Sequence, residues 1–276
     1  MRAATLAIAA TLLVGCIAEE DKDKITNEQG VTVSDPTLAL NGLWDGQFDQ
    51  AGSLRVLIYN GNVYGLDESR GYYGTALLNN DNRTATLALT GYTLSQNDTA
   101  AKQYVADGLN QDYSLNGLLY TVEASPQLVG DFENATGTGS FVLTDDGTWP
   151  NNSALSLLAG KWTATGYEFY VEPLSSKASF KGISTDSSGC TFEGDITLLD
   201  KNDALYAVTL RERKNCPAFN ETNASGYAVI NSDGSLELYL RKDTDLLFMT
   251  FTAPVSSTPV ETPTDTTDTT TDITTL

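Results

Sequence analysis

An internal repeat constrains the fold more than any other feature of this sequence. A Gly-x-Trp segment at residues 42–44 returns at 160–162, and each copy opens a run of alternating apolar and polar residues. About 29 residues further on, each copy places a glycine beside an aromatic residue, at 71–73 and again at 189–192. The repeat predicts a duplicated domain of about 105 residues.

Within each copy the alternation has a period of two, which is the spacing of a β-strand and not of a helix. Turn residues that tolerate positive φ separate the runs at short intervals, as at Asn60-Gly61 and Asp233-Gly234. In the first copy the predicted strands are 42–50, 52–60, 62–69, 71–81, 84–95, 111–124, 127–134 and 136–144. In the second copy they are 160–166, 168–174, 179–185, 189–200, 204–214, 225–233, 235–243 and 246–252.

The predicted fold is therefore all-β. Eight antiparallel strands joined by hairpins can close into a small up-and-down barrel, which removes the exposed sheet edges that promote aggregation. We expect two such barrels in tandem, and the alternative is a pair of β-sandwiches. One helical interruption is predicted at 98–108, between strands of the first copy.

The N-terminus carries a targeting signal. Arg2 precedes a 12-residue apolar run at 3–14, too short for a membrane span of about 20 residues but suited to a signal peptide. The run ends in Leu-Val-Gly-Cys, which resembles the bacterial lipobox. That resemblance implies that cleavage leaves Cys16 as an acylated N-terminus, and Ile17 after it implies the outer membrane. The alternative is ordinary secretory cleavage, with Cys16 incidental.

Composition divides the chain around the two barrels. A polar stretch follows Cys16, and a Thr-, Asp- and Pro-rich stretch that cannot form a core ends the chain. The predicted parts are the signal peptide (1–15), an acylated linker (16–39), the first barrel (40–148), a linker (149–156), the second barrel (157–253) and a disordered tail (254–276).

The other two cysteines, Cys190 and Cys216, predict one disulfide in an oxidising envelope compartment. Their spacing is not Cys-x-x-Cys. Two thiolates without a histidine also make a poor metal site, so a redox or metal role is not expected.

The charge and the absence of histidine exclude several functions. The chain has 16 basic and 36 acidic residues and no histidine, for a net charge of −20. A Ser-His-Asp triad, a histidine general base and a histidine-ligated metal are impossible. Because the acidic charge repels phosphates, nucleic acid is not an expected partner.

No motif for catalysis or for a cofactor stands out. Paired carboxylates suited to sugar hydrolysis could lie at Asp145 and Asp146 or at Glu193 and Asp195, although acids in turns and on solvated faces explain both pairs. The oxygen-rich loops at 79–82 and 200–203 lack the glycine and the closing glutamate of a calcium-binding EF-hand. No catalytic residue, metal or cofactor is therefore predicted.

Aromatic residues supply the candidate contacts. Trp44 and Trp162 are expected to close barrel ends, because Gly-x-Trp on a first strand resembles the opening of lipocalin and avidin barrels. Residues 40–252 also resemble a group of uncharacterised proteobacterial lipoproteins with a Gly-Cys-x-Phe-x-Gly segment, here 189–194, and a later Asn-Cys, here 215–216. The resemblance implies the barrel fold and the outer membrane but no activity. Tyr72, Tyr73 and Phe192 are further candidates for barrel-end or ligand contacts.

Three functions remain. The preferred one is a non-enzymatic outer-membrane lipoprotein, attached to the membrane through its lipid anchor, that acts as an interaction or envelope-structural module with an envelope or extracellular protein partner. The second is a lipocalin-like carrier, which requires an open apolar cavity of about 300 Å³ or more. The third is a carbohydrate hydrolase that uses two carboxylates, at least one with a raised pKa.

Overall fold

The computed structural model describes residues 24–26, 32–34, 40–49, 51–79, 81–97, 101–105, 111–121, 125–148, 153–199, 201, 203–217 and 219–253. These residues form nineteen strands and one turn of 3-10 helix at Leu155–Leu158. No helix among them has the length and hydropathy to cross a membrane. The strands are β1 (Lys24–Thr26), β2 (Thr32–Ser34), β3 (Gly42–Phe48), β4 (Ala51–Tyr59), β5 (Asn62–Leu66), β6 (Arg70–Asn79), β7 (Thr84–Asn97), β8 (Ala101–Val105), β9 (Gln111–Tyr120), β10 (Gln127–Asn134), β11 (Gly137–Asp145), β12 (Gly160–Ala164), β13 (Tyr167–Pro173), β14 (Ala178–Ser184), β15 (Thr191–Leu198), β16 (Leu205–Lys214), β17 (Thr222–Ile230), β18 (Leu236–Lys242) and β19 (Asp245–Phe251).

The all-β prediction is confirmed, and each of the sixteen predicted strands has its counterpart. Eight strands close into an antiparallel barrel in the order β3-β4-β5-β6-β7-β9-β10-β11, which we call unit 1. The last and first strands pair from Phe141 with Phe48 to Asp145 with Trp44. Closure satisfies the backbone groups that an open edge would expose.

The remaining strands of the repeat, β12 to β19, form an antiparallel meander that we call unit 2. Its first and last strands meet where Thr163 and Thr252 exchange backbone hydrogen bonds of 3.3 and 2.7 Å. Apolar side chains lie buried inside each unit, including Trp44 and Phe141 in unit 1 and Phe169 and Phe251 in unit 2.

The short strand β8 joins the two units into one continuous sheet. One of its edges pairs with the end of β7, and the other pairs with Leu246–Met249 of β19. The prediction of a helix at 98–108 is therefore wrong at 101–105, while 98–100 and 106–108 lie outside the described residues. Two strand edges offered backbone partners here, and such tertiary pairing overrides a local helical preference.

A β-bulge places Arg211 and Arg213 on different faces of β16, although their spacing of two predicts one shared face for a regular strand. The register of β15 against β16 shifts between Glu193 and Gly194, which leaves Arg211 opposite no partner residue. One extra residue reverses the alternation of the side chains beyond it. Arg211 is accordingly exposed, whereas Arg213 is buried and donates from Nη1 to the Phe219 carbonyl at 3.2 Å.

A disulfide joins Cys190 to Cys216, as the cysteine count predicted. It ties the start of β15 to the loop after β16. Within that loop, Asn220 accepts from the Cys216 amide at 2.8 Å and donates back to its carbonyl at 2.8 Å.

Replacing both Cys190 and Cys216 by serine should lower the free energy of unfolding by roughly 3 kcal/mol. The bond closes a loop of 26 residues, and its loss frees the unfolded chain to occupy more conformations. Urea denaturation of the wild type and the double variant measures the difference. A loss below about 1 kcal/mol would contradict this account, since it would mean that the unfolded chain gains little freedom.

Candidate functional site

The two repeat tryptophans occupy matching positions in the two units. Trp44 is 1 % exposed and Trp162 is 2 % exposed. The indole of Trp44 donates from Nε1 to the Leu40 carbonyl at 3.0 Å, and that of Trp162 donates to the Leu158 carbonyl at 2.8 Å. In both cases the acceptor lies four residues earlier, so each ring is fixed by the chain that leads into its strand.

Tyr72 and Phe192 also lie inside their units. Tyr72 stands directly opposite Gly65, and Phe192 stands opposite Gly182. A Cβ atom at Gly182 would lie only 1.9 Å from the Phe192 ring, so that glycine leaves the space that the ring fills. The Tyr72 hydroxyl donates a hydrogen bond to Asp67 Oδ2 at 2.6 Å.

Tyr73 lies on the opposite face of β6 from Tyr72, since neighbouring residues of a strand alternate. Its ring faces unit 2, where the guanidinium carbon of Arg241 lies 4.2 Å from the ring centroid. Tyr73 is therefore not a neighbour of Tyr72 in one site. It belongs to a surface that joins the two units.

We call this surface the junction. It is a buried cluster that is rich in tyrosine and draws on β3 to β8 and on unit 2. Its residues are Leu43, Leu57, Tyr64, Tyr73, Tyr92, Tyr104, Ala204, Leu205, Tyr227, Val229, Tyr239, Leu246 and Phe248. Several of the rings meet edge to face, as Tyr64 does with Tyr227 at 5.7 Å, an arrangement that favours aromatic packing.

Arg55 links the two units at the edge of the junction. It extends from β4, and its Nη1 lies 2.7 Å from Asp146 Oδ2 and 3.0 Å from Asp45 Oδ1 in unit 1. In unit 2, its Nη2 donates to Asn231 Oδ1 at 3.0 Å, and its Nε lies 3.4 Å from Glu237 Oε2. Sequence reasoning missed this site because Arg55 and Glu237 are 182 residues apart.

Arg55 stays charged in this setting. Burial alone would lower the pKa of the guanidinium, but Tyr239, Glu237, Asp45 and Asp146 together raise it. The planar fork of arginine can meet several acceptors at once, which a lysine ammonium cannot do with the same geometry. The junction is therefore held by a fixed charge as well as by apolar contact.

A cleft of ≈ 210 Å³ opens beside Arg55, between the units. It is lined by Ser53 and Arg55 of β4, by Asp67 and Glu68 of the turn after β5, by Lys102 of β8 and by residues of β18 and β19. Its lining combines these charged and hydroxyl groups with apolar and aromatic side chains of β5, β18 and β19. The cleft is thus a recess of mixed polarity at the joint and is distinct from the apolar interior of unit 1 or unit 2.

Because tyrosines in and around the junction are buried, we predict that the protein loses stability at high pH. Burial is the largest cause that raises the pKa of Tyr72, Tyr92, Tyr104 and Tyr239 above the ordinary value near 10. These groups stay neutral in the folded state while they ionise in the unfolded one. The free energy of unfolding should therefore be unaffected below about pH 9 and fall as the pH rises above about 10.

Absorbance of phenolate and circular dichroism, followed together from pH 8 to 13, check this expectation. A fraction of the phenolate signal should appear only as the β-sheet signal is lost. If every tyrosine ionised near pH 10 with the fold intact, the buried junction would be refuted.

Both candidate pairs of catalytic carboxylates contain acids held by cations. Asp146 binds Arg55, and Asp195 lies 3.1 Å from Lys177. Glu193 and Asp195 each lie 3.8 Å from Arg211. In the first pair, burial raises the pKa of Asp145, but its neighbour Asp146 is committed to the junction. Asp146, Glu193 and Asp195 therefore lie in ion pairs in the folded chain, while Asp145 accepts from the Gly147 amide at 2.9 Å.

Cys16 lies outside the described residues, as do parts of both oxygen-rich loops. Within the described segments, no group of three or more side chains of the metal-binding types lies close enough to hold an ion. The structure brings buried tyrosines and the Arg55 ion pairs together at the junction, which is therefore the candidate functional site.

Comparison with known proteins finds no matching family model, no matching curated protein and no matching solved structure.

Proposed function

We propose that this chain is a non-enzymatic lipoprotein of the bacterial outer membrane, in which two barrels are fused into one interaction or envelope-structural module. The observation that carries the proposal is where the apolar side chains are buried. Interior positions are occupied by buried rings and leucines, and a third buried cluster binds the units to each other. Because its interior positions are filled, the outer surfaces of the chain are the parts available for contact with a partner protein.

The tandem arrangement rests on matching details in the two units. Trp44 and Trp162 make the same bond to a carbonyl four residues earlier, and Tyr72 and Phe192 each face a glycine of the preceding strand. These similarities favour duplication of one eight-stranded barrel over a pair of sandwiches. In unit 2 the single bridge at Thr163 and Thr252 would complete the closure.

Attachment to the outer membrane rests on the sequence alone. We propose that the thiol of Cys16 carries a diacylglycerol after residues 1–15 are removed. Intact-mass measurement on protein from the membrane fraction should give the mass of the chain from Cys16 plus its acyl groups. A Cys16→Ser variant should lack that added mass and leave the membrane fraction. An unmodified Cys16 would reject the anchor.

The interaction role can be tested in intact cells with a photoreactive residue on the outer surface. Tyr120 of β9 is 50 % exposed and is a suitable position, with buried Tyr113 as the matched control on the same strand. We expect a discrete protein adduct from position 120 that is lost in the Cys16→Ser variant. Failure to find an adduct from any exposed strand position, together with a co-purifying small molecule, would favour the carrier instead.

A further inference from the structure

Exposed leucines gather at one end of unit 2. Leu157 is 54 % exposed, Leu174 is 48 %, Leu199 is 40 % and Leu198 is 37 %. They are four of the nine large apolar side chains that stand exposed in the described part of the chain. We call these four residues the leucine crown.

The topology places the four leucines at the same end of the unit. Strands β13 and β15 end there, because each pairs antiparallel with β14, which begins there. The 3-10 turn before β12 packs against both β13 and β15. Hydrogen bonds fasten the surrounding loops, with the Ser153 amide 3.0 Å from the Lys201 carbonyl and the Tyr206 hydroxyl 3.1 Å from the Ala154 carbonyl.

The turns that carry the crown differ in charge from the rest of the chain. Segments 153–159, 173–178 and 198–201 contain two lysines, Lys177 and Lys201, against one aspartate, Asp200. Their net charge is thus +1 in a chain whose net charge is −20. Lys177 also lies 3.1 Å from Asp195, so these turns are close to neutral, and apolar side chains there can approach a lipid surface with little repulsion from nearby carboxylates.

We propose that the leucine crown inserts into the surface of the lipid bilayer and seats unit 2 on the membrane. The inference rests on the proposed lipid anchor, which would hold the chain at the bilayer. Between Cys16 and Leu40, β1 pairs back on β2, so only the 8 residues before Lys24 and the 6 residues after Ser34 can extend, which gives a reach of up to about 50 Å.

The chemistry of the crown fits lipid better than protein. Leucine is under-represented among the residues that dominate protein interfaces, where tryptophan, tyrosine and arginine prevail. Bilayer insertion instead requires only apolar area on a protruding part, and its strength grows with that area. Four exposed leucines on three adjacent turns supply such apolar area.

The test uses the full chain with one added thiol. Because Cys190 and Cys216 are joined to each other and Cys16 would be acylated, a cysteine placed by Ser176→Cys is the one reactive thiol. Ser187→Cys, in the turn between β14 and β15 at the opposite end, is the matched control. Each variant is labelled with an environment-sensitive fluorophore and reconstituted into phosphatidylcholine vesicles.

We expect the label at position 176 to shift to shorter wavelength and to be quenched by nitroxide-labelled lipid, and the label at 187 to do neither. Replacing all four crown leucines by serine should abolish the shift at 176. Serine at the exposed positions Leu77, Leu118 and Ile183 should leave the shift unchanged. Circular dichroism of each variant confirms that the fold is retained.

The outcomes separate the crown from the anchor. If intact mass shows acyl groups while positions 176 and 187 give the same signal, the crown is rejected and the anchor stands. If no acyl group is found, vesicles are added to the unacylated chain with Cys16→Ser, so that position 176 again carries the one reactive thiol, and its signal decides the crown alone. A shift that rises with protein concentration without vesicles would identify a second copy as the occupant and overturn the proposal.

Discussion

Replacing Arg55 by methionine is expected to lower the free energy of unfolding by about 2–4 kcal/mol. Methionine keeps much of the apolar stem but leaves Asp146 and Glu237, whose side chains are 12 % and 18 % exposed, without their cation. Removing one partner of a largely buried ion pair strands the other charges, which costs more than the pair itself contributes. Urea unfolding at neutral pH measures the loss.

Arg211→Met is the matched control, because Arg211 is 44 % exposed and its carboxylate partners lie 3.8 Å away. Its cost should stay within about 0.5 kcal/mol. Arg55→Lys should fall between the two, since the charge remains but the fork is lost. If Arg55→Met and Arg211→Met cost the same, the junction would not depend on Arg55.

Replacing Trp162 by alanine is expected to lower the free energy of unfolding by about 3–5 kcal/mol, the usual cost of emptying a buried aromatic site. The indole is 2 % exposed, and its removal also leaves the Leu158 carbonyl without its donor. Because Trp44 occupies the matching position, Trp44→Ala should cost a similar amount. Urea unfolding of each variant measures the two losses.

Phenylalanine at either position separates the hydrogen bond from the packing. Trp44→Phe and Trp162→Phe should each cost less than the alanine variant, with about 1–3 kcal/mol from the unsatisfied carbonyl and the lost ring area. A cost near zero at one tryptophan and several kcal/mol at the other would show that the two positions are not equivalent. The proposed duplication would then lose its main structural support.

Much of the fold could be predicted from the sequence, since alternation and turn residues are local signals. The sixteen strands of the repeat follow from them. β8 could not be found in this way, because its Ala-Lys-Gln-Tyr-Val segment takes its conformation from the edges of β7 and β19. The bulge at Arg211 could not be predicted from the sequence either. One unpaired residue moves Arg213 to the other face of β16, while the alternation of residues before the bulge stays regular.

The candidate site shows the same limit. The sequence pointed to tryptophans and tyrosines, but it could not say that Tyr72 turns inward and Tyr73 turns to the other unit. Arg55 gave one usable signal, a single cation within the apolar strand Leu-Arg-Val-Leu-Ile-Tyr. A charge in such a strand calls for a partner, but only the three-dimensional structure brings Glu237 and Asn231 to it.

Native mass spectrometry of the protein extracted from envelopes in mild detergent tests the central claim most directly. If unit 1 and unit 2 are filled by their own side chains, the intact mass should equal that of the acylated chain from Cys16 with one disulfide, unchanged by denaturation. A stoichiometric additional mass that is lost on denaturation would reveal a bound small molecule. That result would contradict the interaction module and establish a carrier.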